Sequence, residues 1–145
     1  MGTHIYDANN VFAKILRGEI PSHRVHEDAH TIAFMDVMPQ APGHTLIVPR
    51  LGCRNLFDAD AASLAQVIVV VQKIARAAHI AFAADGISVM QFNEAAGGQS
   101  VFHLHFHVIP RFEGIALKPH TGAMEDGAVL AANAGKLKAV LAGMA

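Results

Sequence analysis

The sequence predicts an α+β domain built on an antiparallel sheet. Segments with strand character come in adjacent pairs around one long helical segment, which disfavours βαβ winding. The segment Val101 to Ile109 alternates strictly between apolar and polar from 103 to 108, the period of a strand. Apolar residues make up 52% of the 145 and charged residues 16%, enough for a core and unlike a disordered chain. At this length a single domain spanning residues 1–145 is expected.

Residues 9–17 read as a helix with Asn9 or Asn10 as cap and Gly18 as the stop. Val25 to His26 and Thr31 to Asp36 read as strands flanking the polar turn Glu27-Asp28-Ala29-His30. Pro39 to Gly43 is a turn, and Thr45 to Pro49 a short buried strand. Residues 59–83 form the strongest helix. Asp58 or Asp60 caps it, Gly86 follows it, and Leu64, Val67, Ile68, Val71, Ile74, Ala75 and Ala78 keep a spacing of three and four. Gly86 to Phe92 is a strand, Asn93 to Ser100 a glycine-containing loop, and Val101 to Ile109 a strand ended by Pro110. Beyond Gly114 the chain is a loop, then an alanine-rich tail with a last helix over much of 126–142.

Composition removes several functions. The net charge is −1, so no broad basic face is expected and nucleic acid is not an expected partner. Cys53 is the single cysteine, which leaves no disulfide framework and no cysteine-based zinc site. Met1-Gly2-Thr3-His4 opens no signal peptide, and Tyr6 breaks a myristoylation motif. The longest apolar stretch, Val67 to Val71, is far short of the ~20 residues of a membrane span. A cytoplasmic protein that does not enter a membrane is the expectation.

The excess of histidine, 10 residues, poses the question of chemistry. Alternation puts His103, His105 and His107 on one strand face and Leu104, Phe106 and Val108 on the other, which is the core face. Three imidazoles in register on the face away from the core are poor packing material and an unexpected accident. Side chains two apart on a strand start about 6.6 Å apart, so two neighbours could chelate one ion but all three could not. No carboxylate or cysteine at short spacing completes such a site. The alternative is nucleophilic catalysis: imidazole is largely neutral near pH 7, and a neighbour can hold it or protonate a leaving group. Phosphorus is a natural target because the phospho-imidazole bond is labile. The preceding loop, Asn93-Glu94-Ala95-Ala96-Gly97-Gly98-Gln99-Ser100, offers glycines for close backbone approach and donors in Gln99 and Ser100.

His103-Leu-His105-Phe-His107-Val-Ile resembles the signature of the histidine triad (HIT) superfamily. Residues 12–21, Ala33 to Pro49 and Asn93 to Arg111 are similar to its Hint-type bacterial branch, so the match runs in order over about 10–112 and leaves 113–145 as a variable tail. The resemblance implies a five-stranded antiparallel sheet, one long helix and shorter terminal helices. It also implies a homodimer whose sheets join into one of ten strands, with the long helix at the interface. It implies binding of a purine nucleotide or nucleotidyl conjugate such as an AMP derivative, without a cofactor, and attack by His105 on the α-phosphorus to give a nucleotidyl-histidine. His107 would contact the phosphate, and His103 and His44 would complete the network. Ser100 and Gln99 would hold phosphate oxygens, Asn93 the ribose–phosphate side, and Asp36 the ribose hydroxyls. Phe12, Ile15, Phe34 and Leu46 would line the base pocket.

Read without the resemblance, Asp36 is a carboxylate at a strand end that can reach a diol, His44 a core imidazole, and Phe12 and Ile15 ordinary core residues. Relatives often hold zinc with a Cys-x-x-Cys pair and a downstream His. Here Asn10 and Ala13 occupy the pair's positions and Pro49-Arg50-Leu51-Gly52-Cys53 lacks the His, so no metal is expected. Some Hint proteins end in a tryptophan segment that shapes substrate choice, and this chain has no Trp. The favoured activity is a phosphoramidase-like hydrolase of nucleoside phosphoramidates. The alternatives are a diadenosine polyphosphate hydrolase and a nucleotide-binding regulatory protein with vestigial catalysis; a metal-binding protein comes last. His4, His23, His26, His30, His79 and His120 receive no role, and most are expected at the surface.

Overall fold

A computed structural model describes residues 5–120 and 122–144; Met1 to His4, on which the reading of the leader rests, lie outside them. The first helix, α1 (Val11–Leu16), is shorter than the expected 9–17 because Asn10 stands outside it as the cap, its side-chain oxygen accepting from the Ala13 N–H at 2.9 Å. β1 (Arg24–Glu27), β2 (Thr31–Met35) and β3 (Thr45–Pro49) follow. Next come α2 (Ala61–Ala81), β4 (Gly86–Met90), β5 (Phe106–Arg111) and α3 (Gly127–Ala142). The five strands form one antiparallel sheet in the order β1-β2-β3-β5-β4. The fold class, α+β with one long helix, is as expected.

Both faces of the sheet are covered, which is why β2 and β3 are buried along their whole length. Alternation divides their side chains. Ala33, Met35, Ile47 and Val108 join the core beneath α2 and α3, while Ile32, Phe34, Leu46 and Val48 pack with Phe12 and Ile15 of α1. The register pairs Phe34 with Leu46 and Leu46 with His107, so the apolar α1 face and the histidines belong to the same side.

Asp60 caps α2 through the Ser63 N–H at 2.6 Å. Its buried stripe is Val67, Val70, Val71, Ile74, Ala77 and Ala78. Ile68, expected in that stripe, is instead 50% exposed, and Val70 takes a core position. Counting only Val67 to Val71 understated this helix: with its alanines, the 21 residues are long and apolar enough to cross a membrane. Here one side of the helix is the floor of the sheet.

The expected strand over Val101 to Ile109 begins only at Phe106. The β3 ladder reaches β5 only through Thr45–Val108, Leu46–His107 and Ile47–Phe106. Before Phe106 the chain is held by other bonds: the Leu104 N–H donates to the Cys53 carbonyl, and the His103 ring bonds the Pro49 carbonyl, each at 2.9 Å. His103 is therefore placed by its side chain, not by strand register. The expectation that the histidines face away from packed material is also corrected. His103 is fully buried and His105 and His107 are only 7% exposed, because α1 and the loops close over this face.

The turn before β3 depends on Gly43, at φ +88° with its α-carbon against the Phe82 ring; a β-carbon there would lie 2.4 Å from that ring. Gly43→Ala should destabilise the domain by about 2–4 kcal/mol through left-handed strain and overpacking. Chemical denaturation measures this, and a loss under about 0.5 kcal/mol, the range of an ordinary surface change, would refute the constraint.

Candidate active site

Four imidazoles converge where β3, β5 and the segment before β5 meet, and hydrogen bonds fix the proton of each. His103 donates from Nε2 to the Pro49 carbonyl, which leaves Nδ1 to accept from the Tyr6 hydroxyl at 2.9 Å. His105 donates from Nδ1 to the His103 carbonyl at 2.6 Å. Its Nε2 therefore carries the lone pair, and among the described residues no group hydrogen-bonds it. His44 Nδ1 accepts from the Gln40 N–H at 3.0 Å, so its proton sits on Nε2 and is donated to His107 Nδ1 at 2.9 Å. That leaves the His107 proton on Nε2. The His105 and His107 rings lie 5.0 Å apart. The site thus pairs a bare nitrogen with an N–H donor, the complement of an electrophilic phosphorus and its anionic oxygens.

Burial keeps the cluster neutral. Desolvation, then the nearby imidazoles, pushes His44 and His107 down to about 3 from the ordinary 6.5. Desolvation takes His105 to about 4 against the opposing bond to the His103 carbonyl, and lowers His103 as well. A neutral His105 keeps its Nε2 lone pair across the physiological range.

The loop 93–100 is anchored by polar side chains. Glu94, at φ +65°, accepts from Arg54 Nε at 2.8 Å and Nη2 at 2.9 Å and from Asn55 Nδ2 at 2.7 Å. Gln99 is buried and fully engaged: its amide donates to the Arg54 and Val101 carbonyls and accepts from Asn55 and the Glu94 N–H. Asn93 accepts from the Leu56 N–H and exchanges bonds with Gln91. Both side chains brace the loop. Ser100, at the loop's end, is exposed.

Phe12, Ile15, Phe34 and Leu46 form one buried cluster, the Phe12 ring lying 5.5 Å from Phe34 and 4.8 Å from His105. Asp36 is buried beside His44, its Oδ2 at 3.4 Å from His44 Nε2, and its Oδ1 accepts from the Met38 N–H at 2.8 Å. A residue given no role also reaches it: His120 Nε2 lies 3.0 Å from Oδ2 and 3.2 Å from Oδ1 of Asp36. The chain after β5 brings it there, with the Lys118 N–H on the Gln40 carbonyl and the Glu125 N–H on the Val37 carbonyl. Nothing in the sequence flags His120, because it lies in a loop without period, 13 residues after His107. Tyr6 and the Gln40 backbone, which fix the tautomers of His103 and His44, were equally invisible.

Asp36, His44 and His107 offer three ligand atoms within 4.8 Å of one another. They do not fit a metal ion in this arrangement. A ligating imidazole donates its second nitrogen to an acceptor. His44 Nδ1 instead faces the Gln40 N–H, which leaves a proton on the nitrogen that would have to bind the ion. At the positions of the cysteine pair, Asn10 and Ala13 bond each other as cap and first turn.

A protein-family model described as HIT domain matches residues 17–114. The Bacillus subtilis protein named "Protein hit" is 40% identical over 104 residues, 72% of each chain. The crystal structure of a Hit-like protein involved in cell-cycle regulation from Bartonella henselae, with an unknown ligand, is 58% identical. It covers 94% of this chain and 99% of its own, with a TM-score of 0.91. A hypothetical histidine triad nucleotide-binding protein from Sulfolobus tokodaii is 28% identical, covers 91% of both chains and has a TM-score of 0.84.

The buried neutral histidines give a stability signature. Their folded pKa values, near 3 for His44 and His107 and near 4 for His105, lie below the unfolded value, so falling pH protonates the unfolded chain first. Stability should be complete above about pH 7 and should be lost progressively as the pH drops below about 6.5. Thermal unfolding followed from pH 8 to pH 4 reads this. A melting temperature that holds constant to pH 4.5 contradicts it.

Proposed function

The chain belongs to the HIT domain family, and from that premise we propose that it hydrolyses nucleoside phosphoramidates or related purine nucleotidyl conjugates at the α-phosphate. Family membership supports the coarser statement, a nucleotide-binding hydrolase or transferase. The finer reading rests on the His105 tautomer: Nδ1–H on the His103 carbonyl and a lone pair on Nε2.

In this reading His105 Nε2 attacks the α-phosphorus, the Nε2–P bond forms and the P–N bond breaks. The anionic phosphate between His105 and His107 favours the protonated imidazole, so His107 can carry the proton that the departing amine takes. Water then attacks phosphorus, the Nε2–P bond breaks, the nucleoside monophosphate leaves and the water's proton restores the site. The carbonyl behind Nδ1 stabilises the positive charge that His105 acquires. Asp36 accepts from the ribose and the Phe12, Ile15, Phe34 and Leu46 cluster opens to the base. Ser100 and the backbone of the loop meet the phosphate oxygens, with Gln99 and Asn93 holding that loop in shape.

The protein acts as a homodimer in this proposal. Two features support it: β4 lies at the edge of the sheet with Val89 47% exposed, and the outer face of α2 presents Ile68 at 50% and Val69 at 64%. An open edge beside an apolar helix face is a self-complementary surface.

His105→Ala should lower turnover of adenosine 5′-phosphoramidate by roughly a thousandfold or more while AMP binding persists. Undiminished turnover would sink the assignment. Rates on a phosphoramidate and on diadenosine polyphosphate, measured side by side, decide between the two leaving groups. Light scattering should give twice the chain mass, and Ile68→Glu with Val69→Glu should give the monomer; a monomeric wild-type protein would remove the dimer.

A further inference from the structure

The carboxylate assigned to the ribose is already occupied. Asp36 is 3% exposed, and both of its oxygens have donors. Oδ1 takes the Met38 N–H and one approach of His120; Oδ2 takes His120 at 3.0 Å and lies 3.4 Å from His44 Nε2, whose proton goes to His107. With Asp36 only 3% exposed and the His120 ring within hydrogen-bond distance of both oxygens, a ribose diol has to displace His120 to reach this carboxylate. The His120 ring also stands over the catalytic cluster, 6.1 Å from His44 and 6.5 Å from His107.

We infer that His120 competes with the ribose of a bound nucleotide for Asp36, and so sets the affinity of this site for nucleosides that carry a 2′,3′-diol. The inference rests on the reading of Asp36 as ribose acceptor.

The segment that carries His120 is built to release it. It is tied to the turn after β2 at two points, on either side of the histidine. On one side the Lys118 N–H donates to the Gln40 carbonyl and Gln40 Nε2 returns a bond to the Lys118 carbonyl; on the other the Glu125 N–H donates to the Val37 carbonyl. Between these ties the His120 side chain is 31% exposed, and its bonds to Asp36 are what hold it inward. Just before the first tie the strap spans an apolar cavity of about 440 Å³, bordered by Gln40, Pro42, Pro110, Phe112, Ile115 and Leu117. The ties are hydrogen bonds at Lys118 and Glu125, and neither involves the His120 ring, so displacing the ring from Asp36 breaks neither of them.

The exchange is chemically even. Asp36 gives up one N–H donor and takes hydroxyl donors in its place, while the freed imidazole gains water. A nucleotide with a diol recovers what the displaced histidine loses. A nucleotide without one gains nothing by displacing it and leaves the strap shut.

The experiment compares AMP with 2′,3′-dideoxyadenosine monophosphate by calorimetry, on the full-length protein and on His120→Ala. The variant alters a partly exposed loop residue, so the fold is retained. His120→Ala should tighten AMP on the order of 5-fold and leave the dideoxy compound unchanged. In an Asp36→Asn background, removal of His120 should bring no gain for AMP. Equal tightening of both ligands, no change, or weaker AMP binding would overturn the inference. If the wild-type protein binds AMP and His120→Ala does not differ, the competition alone is wrong. If the wild-type protein binds neither AMP nor adenosine 5′-phosphoramidate, the reading of the site falls and the inference falls with it.

Discussion

The structure of the site hangs on one hydrogen bond, from His105 Nδ1 to the His103 carbonyl at 2.6 Å. It forces the imidazole lone pair onto Nε2. For that carbonyl to be in place, the chain before β5 must leave the sheet and be fastened otherwise. The His103 ring does this by bonding the Pro49 carbonyl and accepting from Tyr6. The three histidines are therefore not equivalent: one is an anchor, one presents a bare Nε2 to the proposed chemistry, one is a donor whose proton is set by His44 and, behind it, by the Gln40 N–H.

Burial makes this chain of bonds count. Desolvation removes the protonated forms, so each ring has one proton and each bond has one direction. A solvated row of histidines would titrate near neutrality and exchange tautomers. Phe12 of α1 stands against the His105 ring and Phe92 against the His107 ring, where water would otherwise lie. The sheet's packing and its chemistry thus depend on the same side chains: Phe12 serves the apolar cluster and also stands against the His105 ring.

Much of this was legible because local patterns and tertiary structure agreed. The caps at Asn10 and Asp60, the strand Thr45–Pro49 and the helix after Asp60 are all local signals. The convergence of His44 with His107 followed from the family resemblance alone, since by itself His44 reads as a core imidazole. Alternation misled at 101–105, where an apolar–polar pattern continues past the last strand partner; period alone does not report whether a neighbouring strand is present. It also placed Ile68 inside, since a wide apolar helix has no unique buried stripe. His120 was illegible because a loop residue reaches its partner through backbone ties to a distant turn, and no spacing encodes those.

The most direct measurement is to trap the covalent species. Adenosine 5′-phosphoramidate mixed with the protein, quenched within the first turnover and digested, should yield one peptide carrying a nucleotidyl group, on His105. The same peptide from His105→Ala should be unmodified. An adduct on His44, His103 or His107, or rapid turnover with no adduct at any time point, would contradict the account of His105 Nε2 as the nucleophile.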